Sequence, residues 1–361
     1  MLGMFFSRTF LFASLFLVVP AAFGQLDDGN RNLLIEKLDK VYQNLAPNDS
    51  SKVAVTLRLA DLYAERARVN SMKELDINCT DCKVGDGDRK KALKLYTEVM
   101  GRAPESSKGK IMIQVGHLYQ ITGEEPTAIT FYQKILNEKT EPVLQAEAQL
   151  SLGEIYFKRR DYAKAQPFFK EVVKNPAATS RGLAAYRDAW CSFNLGNVAL
   201  AITQMENVLK NPALLTRSGS AQSQVDPQFH EEVSRDFATF IAKKQISKAD
   251  IDSLYALSPD AAKVENVKGL ALEAERIGKK AEALQVWNFV YGYMSKPEDR
   301  LAAKISMAQL QFDISDRKAG AETFESAMEL WKDLKTCQSS QCDELRRRSR
   351  QFVVSWNQLE K

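Results

Sequence analysis

Four of the five cysteines stand in two close pairs, and these pairs are the residues in this sequence best suited to chemistry. Cys79 and Cys82 form a Cys-x-x-Cys motif, and Cys337 and Cys342 are near each other at the other end of the chain. Such pairs serve as redox dithiols at helix N-termini, as zinc ligands, or as short disulfides in an oxidising compartment. A covalent haem link is excluded because Lys83 follows Cys82 where that link needs histidine. The choice among the other three depends on the elements that carry the pairs.

No other group of residues has the spacing of a known catalytic motif. The two histidines, His117 and His230, are isolated among residues typical of helices. The sequence has no phosphate-binding glycine loop, no Gly-x-Ser-x-Gly and no His-Glu-x-x-His. Lysine plus arginine number 50 and aspartate plus glutamate 46, and so near-neutral a balance gives no reason to expect nucleic-acid binding. We therefore predict that the protein is not an enzyme and has no catalytic residues, no metal and no cofactor.

The first residues have the composition of a secretory signal. Arg8 precedes an apolar run from Phe10 to Val19, and small residues follow up to Gly24. This run is shorter than the roughly 20 residues that a membrane span needs. We expect a signal peptide at residues 1–24 with cleavage after Gly24, a periplasmic or secreted chain, and no transmembrane segment in the mature protein.

The rest of the chain has a period of 36 or 37 residues. Its clearest segment, Gln145 to Ala178, contains Leu152-Gly153, Tyr156, Ala165, Phe169 and Pro176. A small residue followed four places later by a large apolar one recurs at Ala92, Ala128, Ala165, Ala201, Ala283 and Gly320. In paired helices the small residue lets the two helices approach, and the large one fills the gap to the next pair. The period predicts an all-α structure of stacked helix hairpins.

This pattern resembles the tetratricopeptide (TPR) family, which has Leu-Gly-x2-Tyr on the first helix of each repeat, Ala-x3-Phe on the second and a closing proline. The resemblance implies a TPR-type α-solenoid, a superhelix of antiparallel helix pairs, in a secreted bacterial TPR protein. It also implies a concave groove, formed by the first helices, that binds a peptide or a helix of a partner. Transferred to this chain, the groove residues are Lys110, Ile113, His117, Leu150, Glu154, Phe157, Lys158, Tyr186, Trp190 and Phe193. The last three are equally consistent with a core stripe in a repeat that lacks Leu-Gly.

The period also divides the chain into segments. We expect a capping helix at 25–50, TPR repeats 1–4 at 51–213 with an insert at 71–88, a flexible loop at 214–227, TPR-like repeats 5–7 at 228–335 and a capping helix at 336–361. The second helix of the fifth repeat is expected from Lys248 to Leu257, closed by Pro259.

The C-terminal capping helix has two sides with different chemistry. An apolar stripe at helical spacing is formed by Leu345, Phe352, Val353, Trp356 and Leu359. A run of arginines opposes it, namely Arg346, Arg347, Arg348 and Arg350. The run is typical of a solvated face on a cap, and contact with phosphates or anionic lipid is the alternative.

The repeat pattern helps to choose among a redox dithiol, a zinc site and disulfides for the two cysteine pairs. Cys82 runs into a Val84-Gly85 stretch rather than standing at a helix start, which disfavours a redox dithiol. Zinc bound by both pairs is disfavoured because helix layers packed about 10 Å apart separate the pairs by several tens of ångströms. We therefore expect two short disulfides, Cys79–Cys82 and Cys337–Cys342, and a buried free thiol at Cys191.

The function that this reading predicts is a non-catalytic TPR scaffold or adaptor in the periplasm. Its partner is expected to be a protein or peptide of the cell envelope and not a nucleic acid. Its role is expected to be the assembly or stability of an envelope-associated multiprotein complex, such as motility or secretion machinery. Two alternatives remain open, a thiol-active periplasmic carrier that uses Cys79 and Cys82, and a cell-wall turnover factor.

Overall fold

The computed structural model describes residues 27–76, 84–138, 140–216, 225–334 and 337–359, and these residues are predominantly α-helical. The helices are α1 (Asp28–Asn44), α2 (Lys52–Asp76), α3 (Asp86–Met100), α4 (Glu105–Ile121), α5 (Glu125–Asn137), α6 (Pro142–Lys158), α7 (Tyr162–Lys174), α8 (Arg181–Asn194), α9 (Val198–Lys210), α10 (Pro227–Lys243), α11 (Lys248–Leu257), α12 (Lys263–Arg276), α13 (Lys280–Tyr291), α14 (Pro297–Asp313), α15 (Arg317–Asp333) and α16 (Ser340–Leu359). The all-α class is confirmed, and α11 has the predicted bounds. None of the described helices combines the length and the apolar character that a bilayer crossing requires.

The helices form hairpins within two compact units. In the first unit, which ends at Arg187, α1 covers α2, and the hairpins α2/α3, α4/α5 and α6/α7 pack on one another in chain order. In the second unit, which begins at Asp188, α9 packs on α10, and the hairpins α10/α11, α12/α13 and α14/α15 follow, with α16 against α14. Within each unit the helices therefore have the packing of an α-solenoid, in which neighbouring hairpins supply the core.

Caps in the sequence explain where many of these helices begin. Asp27, Asp161, Asp226 and Asp316 each accept a hydrogen bond from a backbone N–H in the first turn of the helix that follows. Ser247 and Asp250 form a capping box at the start of α11. These side chains satisfy N–H groups that have no partner inside the helix. Short capped turns thus bring consecutive helices back against each other.

The turn inside the hairpins repeats in its backbone geometry. The residue two places after the helix end has a positive φ of 62–88° after five helices, at Gly123, Arg160, Gly196, Gly278 and Ser315. The next backbone N–H in each case donates to the carbonyl five residues earlier, as Asp161 does to Tyr156 at 2.9 Å. This is the Schellman arrangement that closes a helix C-terminus. Arginine and serine adopt the left-handed conformation at two of these turns, so the turn geometry does not depend on glycine alone.

Glycine on the first helix and an aromatic ring on the second fit together in two consecutive hairpins. A Cβ atom on Gly116 would lie 2.6 Å from Cε1 of Tyr132, and one on Gly153 would lie 2.7 Å from Cε1 of Phe169. Both rings are fully buried. The missing side chain is thus what allows each ring to lie directly on the first helix, and it explains the Leu-Gly position of the sequence pattern.

The predicted insert at 71–88 and the predicted loop at 214–227 are both more ordered at their edges than the sequence predicted. Residues 71–76 of the predicted insert at 71–88 continue α2, and α3 begins at Asp86, inside the predicted insert. Arg66 fixes the start of α3 through two 2.7 Å hydrogen bonds to the Asp88 carboxylate. Cys79 and Cys82 lie outside the described residues, so their predicted disulfide stays a prediction.

The loop predicted as flexible at 214–227 has anchored ends. Leu214 closes a 3-10 helix (Pro212–Leu214), and both Leu214 and Leu215 are buried. Thr216 and Val225 form an antiparallel bridge, and Asp226 then caps α10. The prediction of a flexible loop is therefore wrong for both ends, because apolar side chains and a bridge hold them; residues 217–224 lie outside the described range.

The C-terminal helix α16 is attached by a disulfide and an apolar face. Cys337 and Cys342 are joined by a disulfide that spans its N-terminus. Leu345 and Phe352 are buried, whereas Val353 is 44 % exposed. Val353 was wrongly placed on the buried stripe, because a helix of 3.6 residues per turn directs it 100° away from Phe352.

The arginines of α16 contact the helix and its surroundings. Arg346 pairs with Asp343 and lies over the Trp331 ring, 5.4 Å from its centroid. Arg347 pairs with Glu344, and Arg348 donates to the Ser306 hydroxyl at 2.8 Å. These contacts are those of a cap with a charged outer face.

Candidate functional site

The predicted groove residues of the first unit lie on α4 and α6, but they differ in accessibility. Lys110 and Lys158 are exposed, and Lys158 lies 3.6 Å from the Glu125 carboxylate. His117, Leu150, Glu154 and Phe157 are half-buried. Ile113 is buried in the core, so its prediction as an accessible groove residue is wrong; Met112 and Leu144 belong to the same apolar cluster.

A polar cluster connects α4 to α6, the first helices of consecutive hairpins. The Nε2 atom of His117 lies 3.2 Å from the Ser151 hydroxyl and 3.9 Å from the Glu147 carboxylate. The His117 ring also faces the ring of Tyr132, with centroids 5.8 Å apart. Only 15 % of the His117 side chain and 14 % of the Glu147 side chain are exposed. The cluster therefore lies in the surface between the two helices, with little water around it.

Burial changes the protonation of both ionisable groups. It lowers the pKa of His117 from 6.5 to about 4 and raises the pKa of Glu147 from 4.5 to about 7, because desolvation disfavours the charged form of each. Although they are within ion-pair distance, the imidazole is neutral at pH 7 and the carboxyl group is only partly ionised. The contact is thus not a strong salt bridge, and the carboxyl group retains a largely uncompensated cost of burial.

The same three residues do not have the geometry of a catalytic triad. In a triad the acid binds one ring nitrogen of histidine and the nucleophile binds the other. Here the Ser151 hydroxyl and the Glu147 carboxylate both face Nε2 of His117. The arrangement therefore does not provide a relay for activating serine.

A charged pair extends this surface from α6 to α8. Arg187 donates from Nε to Glu154 at 2.7 Å, and its guanidinium lies 5.0 Å from the centre of the Phe157 ring. The side chains of Arg187 and Glu154 are 16 % and 14 % exposed. Glu154 was predicted as a groove residue, whereas Arg187, Glu147 and Ser151 were not.

Ser151 and Arg187, which were not predicted as site residues, lie at similar distances along the sequence from their partners. His117 and Ser151 are 34 residues apart, and Glu154 and Arg187 are 33 apart. Contacts between equivalent helices of neighbouring hairpins thus occur about three residues short of the repeat period, because one helix uses the side that faces the next hairpin and the other the side that faces the previous one. Complementary polar residues at that separation are the sequence signal for both pairs.

The three aromatic residues predicted on α8 have a different role from the α4/α6 surface. Tyr186, in the first unit, is buried. In the second unit Phe193 stacks on the buried Phe240 at 4.2 Å between ring centres, and Trp190 meets the same ring edge-on at 4.8 Å. The Trp190 indole N–H donates to Asp236 at 3.1 Å. Of the two interpretations left open by the sequence, these contacts favour core packing between α8 and α10.

The polar cluster predicts opposite pH dependences for two single substitutions. Between pH 4.5 and 7 the unfolded chain has released the Glu147 proton that the folded chain keeps, so this group makes stability fall as pH rises. Between pH 4 and 6.5 the unfolded chain holds a His117 proton that the folded chain lacks, so this group makes stability rise with pH. Glu147→Gln should raise the free energy of unfolding at pH 8 by about 2 kcal/mol and leave the rising slope of His117.

His117→Gln is the matched variant, and its stability should fall between pH 4.5 and 7. Urea unfolding at half-unit pH steps measures both slopes. Equal pH profiles for the two variants would contradict the assignment.

Comparisons with known proteins find one family match within the chain and several similar solved structures. A tetratricopeptide repeat family model matches residues 147–177. No curated protein sequence matches the chain significantly. Solved structures with a similar fold include the TPR protein YrrB, with 16 % identity over 65 % of this chain and 98 % of that chain and a TM-score of 0.40. A tetratricopeptide repeat protein from Parabacteroides merdae has 14 % identity over 80 % of this chain and 98 % of its own, with a TM-score of 0.36.

A third similar structure is that of pilF from Pseudomonas aeruginosa, with 14 % identity over 80 % of this chain and 96 % of that chain and a TM-score of 0.35. The family match falls on α6 and α7, the helix pair in which Gly153 lies under the Phe169 ring. By its sequence and by its helix packing, the segment 147–177 is a tetratricopeptide repeat.

Proposed function

We propose that this protein is a non-catalytic scaffold that binds a protein or peptide partner through the first helices of its first unit. The α4/α6 surface combines half-buried apolar side chains, Leu150 and Phe157, with the half-buried polar groups of His117 and Glu147. Aromatic and apolar anchors beside a few fixed polar groups are what a specific protein interface needs. This combination on one surface is the observation that carries the proposal.

Site-specific photocrosslinking in intact cells tests the binding surface. A photoreactive residue at Leu150 should capture a defined partner, whereas the same residue at Lys170, exposed on the second helix α7, should not. Purified partner and scaffold should then form a complex that Phe157→Ala weakens about tenfold or more, as expected for an aromatic anchor. Equal capture from both positions, or a complex that Phe157→Ala leaves unchanged, would show that this surface is not the interface.

The proposed place of action is the periplasm, in an envelope-associated complex such as motility or secretion machinery. The N-terminal sequence supports this through Arg8, the apolar run after it and the small residues up to Gly24. Fractionation of cells should recover the chain in the periplasm, and sequencing of its N-terminus should start at Gln25. A full-length chain in the cytoplasmic fraction would rule out this location.

A further inference from the structure

The Glu147 carboxyl group differs from the other acidic group of the same surface in having no cation to balance it. Glu154 is neutralised by Arg187 at 2.7 Å. Among the residues that the structure describes, no lysine or arginine lies within ion-pair distance of Glu147, and its contact is with His117, 3.9 Å away. A carboxyl group with 14 % of its side chain exposed loses most of its hydration and regains little here.

We propose that Glu147 is the acceptor for a basic side chain, lysine or arginine, of the bound partner. This inference rests on the proposed function, since it names the chemistry of the partner at that surface. A cation brought to Glu147 supplies the charge that the folded chain lacks, and the low-polarity surroundings strengthen the attraction.

The same helix defines the spacing of the rest of the ligand. Measured along the axis of α6 at 1.5 Å per residue, Leu150 lies about 4.5 Å beyond Glu147, and Phe157 lies about 15 Å beyond Glu147. An extended peptide advances about 3.3 Å per residue. The partner segment is therefore a basic residue with apolar residues over the four or five positions on one side of it, the last of them against Phe157.

The charged and titratable groups around Glu147 determine how the affinity for a basic partner side chain depends on pH. His117 on α4 is neutral above pH 5, Lys110 on the same helix is exposed, and Tyr132 on α5 lies beyond His117. Glu154 and Arg187 neutralise each other. A basic ligand must therefore displace the Glu147 proton when it binds below about pH 7, so that binding tightens from pH 6 to 8.

Selection from a phage-displayed library of random 12-residue peptides on the folded protein tests this inference. Enriched peptides should carry lysine or arginine four or five positions from an apolar residue, and replacement of the basic residue by norleucine should weaken binding about tenfold. Glu147→Gln should cause a similar loss, whereas Glu141→Gln, which removes an exposed carboxylate at the start of α6, should cause none. Titration calorimetry in two buffers of different ionisation enthalpy should show proton release at pH 6.5.

The outcomes separate the two proposals. Peptides that bind through Phe157 but lack a basic residue, or that bind Glu147→Gln as tightly as the native protein, overturn the role of Glu147 and leave the proposed function intact. If no peptide binds, or if binding is unaffected by Phe157→Ala, both proposals fail. Glu147→Gln is expected to be more stable than the native chain at pH 8, so a loss of binding will not reflect misfolding.

Discussion

Phe169→Ala should lower the free energy of unfolding by about 3–5 kcal/mol, which is the cost of truncating a fully buried aromatic ring. Phe169 has no exposed surface, and its ring lies where a Cβ on Gly153 would be, 2.7 Å from Cε1. Its edge also meets the ring of Phe157, with centroids 6.2 Å apart. Removal of the ring leaves a cavity between α6 and α7 that neither helix can fill, because Gly153 has no side chain.

The neighbouring Phe168 provides the control. It is half-buried and stacks on Tyr156 at 5.9 Å between ring centres. Phe168→Ala should cost only about 1–2 kcal/mol, because water replaces part of the lost contact. Guanidinium unfolding followed by circular dichroism measures both variants, and an equal loss in the two would show that the ring of Phe169 has no special place in the repeat.

Arg187→Ala should lower the free energy of unfolding by about 3 kcal/mol, the second large effect. The substitution leaves the Glu154 carboxylate, 14 % exposed, without the guanidinium that lies 2.7 Å from it. Breaking a buried ion pair from one side is costly because the remaining charge stays desolvated. The loss should also remove the contact between the guanidinium and the Phe157 ring, 5.0 Å apart.

The double variant Arg187→Met with Glu154→Leu separates charge from packing. It should recover part of the stability, since the apolar pair leaves no desolvated charge at Glu154. Urea unfolding of the native chain, Arg187→Met, Glu154→Leu and the double variant completes a double-mutant cycle. A double variant no more stable than Arg187→Met would show that the cost comes from packing alone.

The regular part of the fold is predictable because it depends on residues close in the sequence. Small residues such as Ala165, with a large side chain four places later, specify one contact between two helices joined by a short turn. The same local information placed α11 at Lys248–Leu257. Segments without this pattern were less predictable, as at Leu214 and Leu215, where two buried side chains anchor a loop predicted to be flexible.

The candidate site was predictable only in part, because it depends on how one hairpin leans on the next. His117, Leu150, Glu154 and Phe157 are half-buried, and position on a helix face did not reveal that Ile113 is buried. Glu147 has the sequence character of an ordinary surface glutamate. Its burial follows from α4 packing against α6, which no property of residue 147 encodes.

Because the left-handed turns recur with the same geometry, a whole helix pair can be removed from the array between two of them. Gly123 and Arg160 occupy the same place in two consecutive turns, with φ of 88° and 62°, so the chain leaves both in the same direction relative to the preceding helix. Excision of residues 124–160 joins Gly123 to Asp161 and recreates an equivalent junction between α4 and α7. Arrays built on such interchangeable junctions can lengthen or shorten by whole modules through duplication or loss, and the number of modules sets how long a ligand the surface can span.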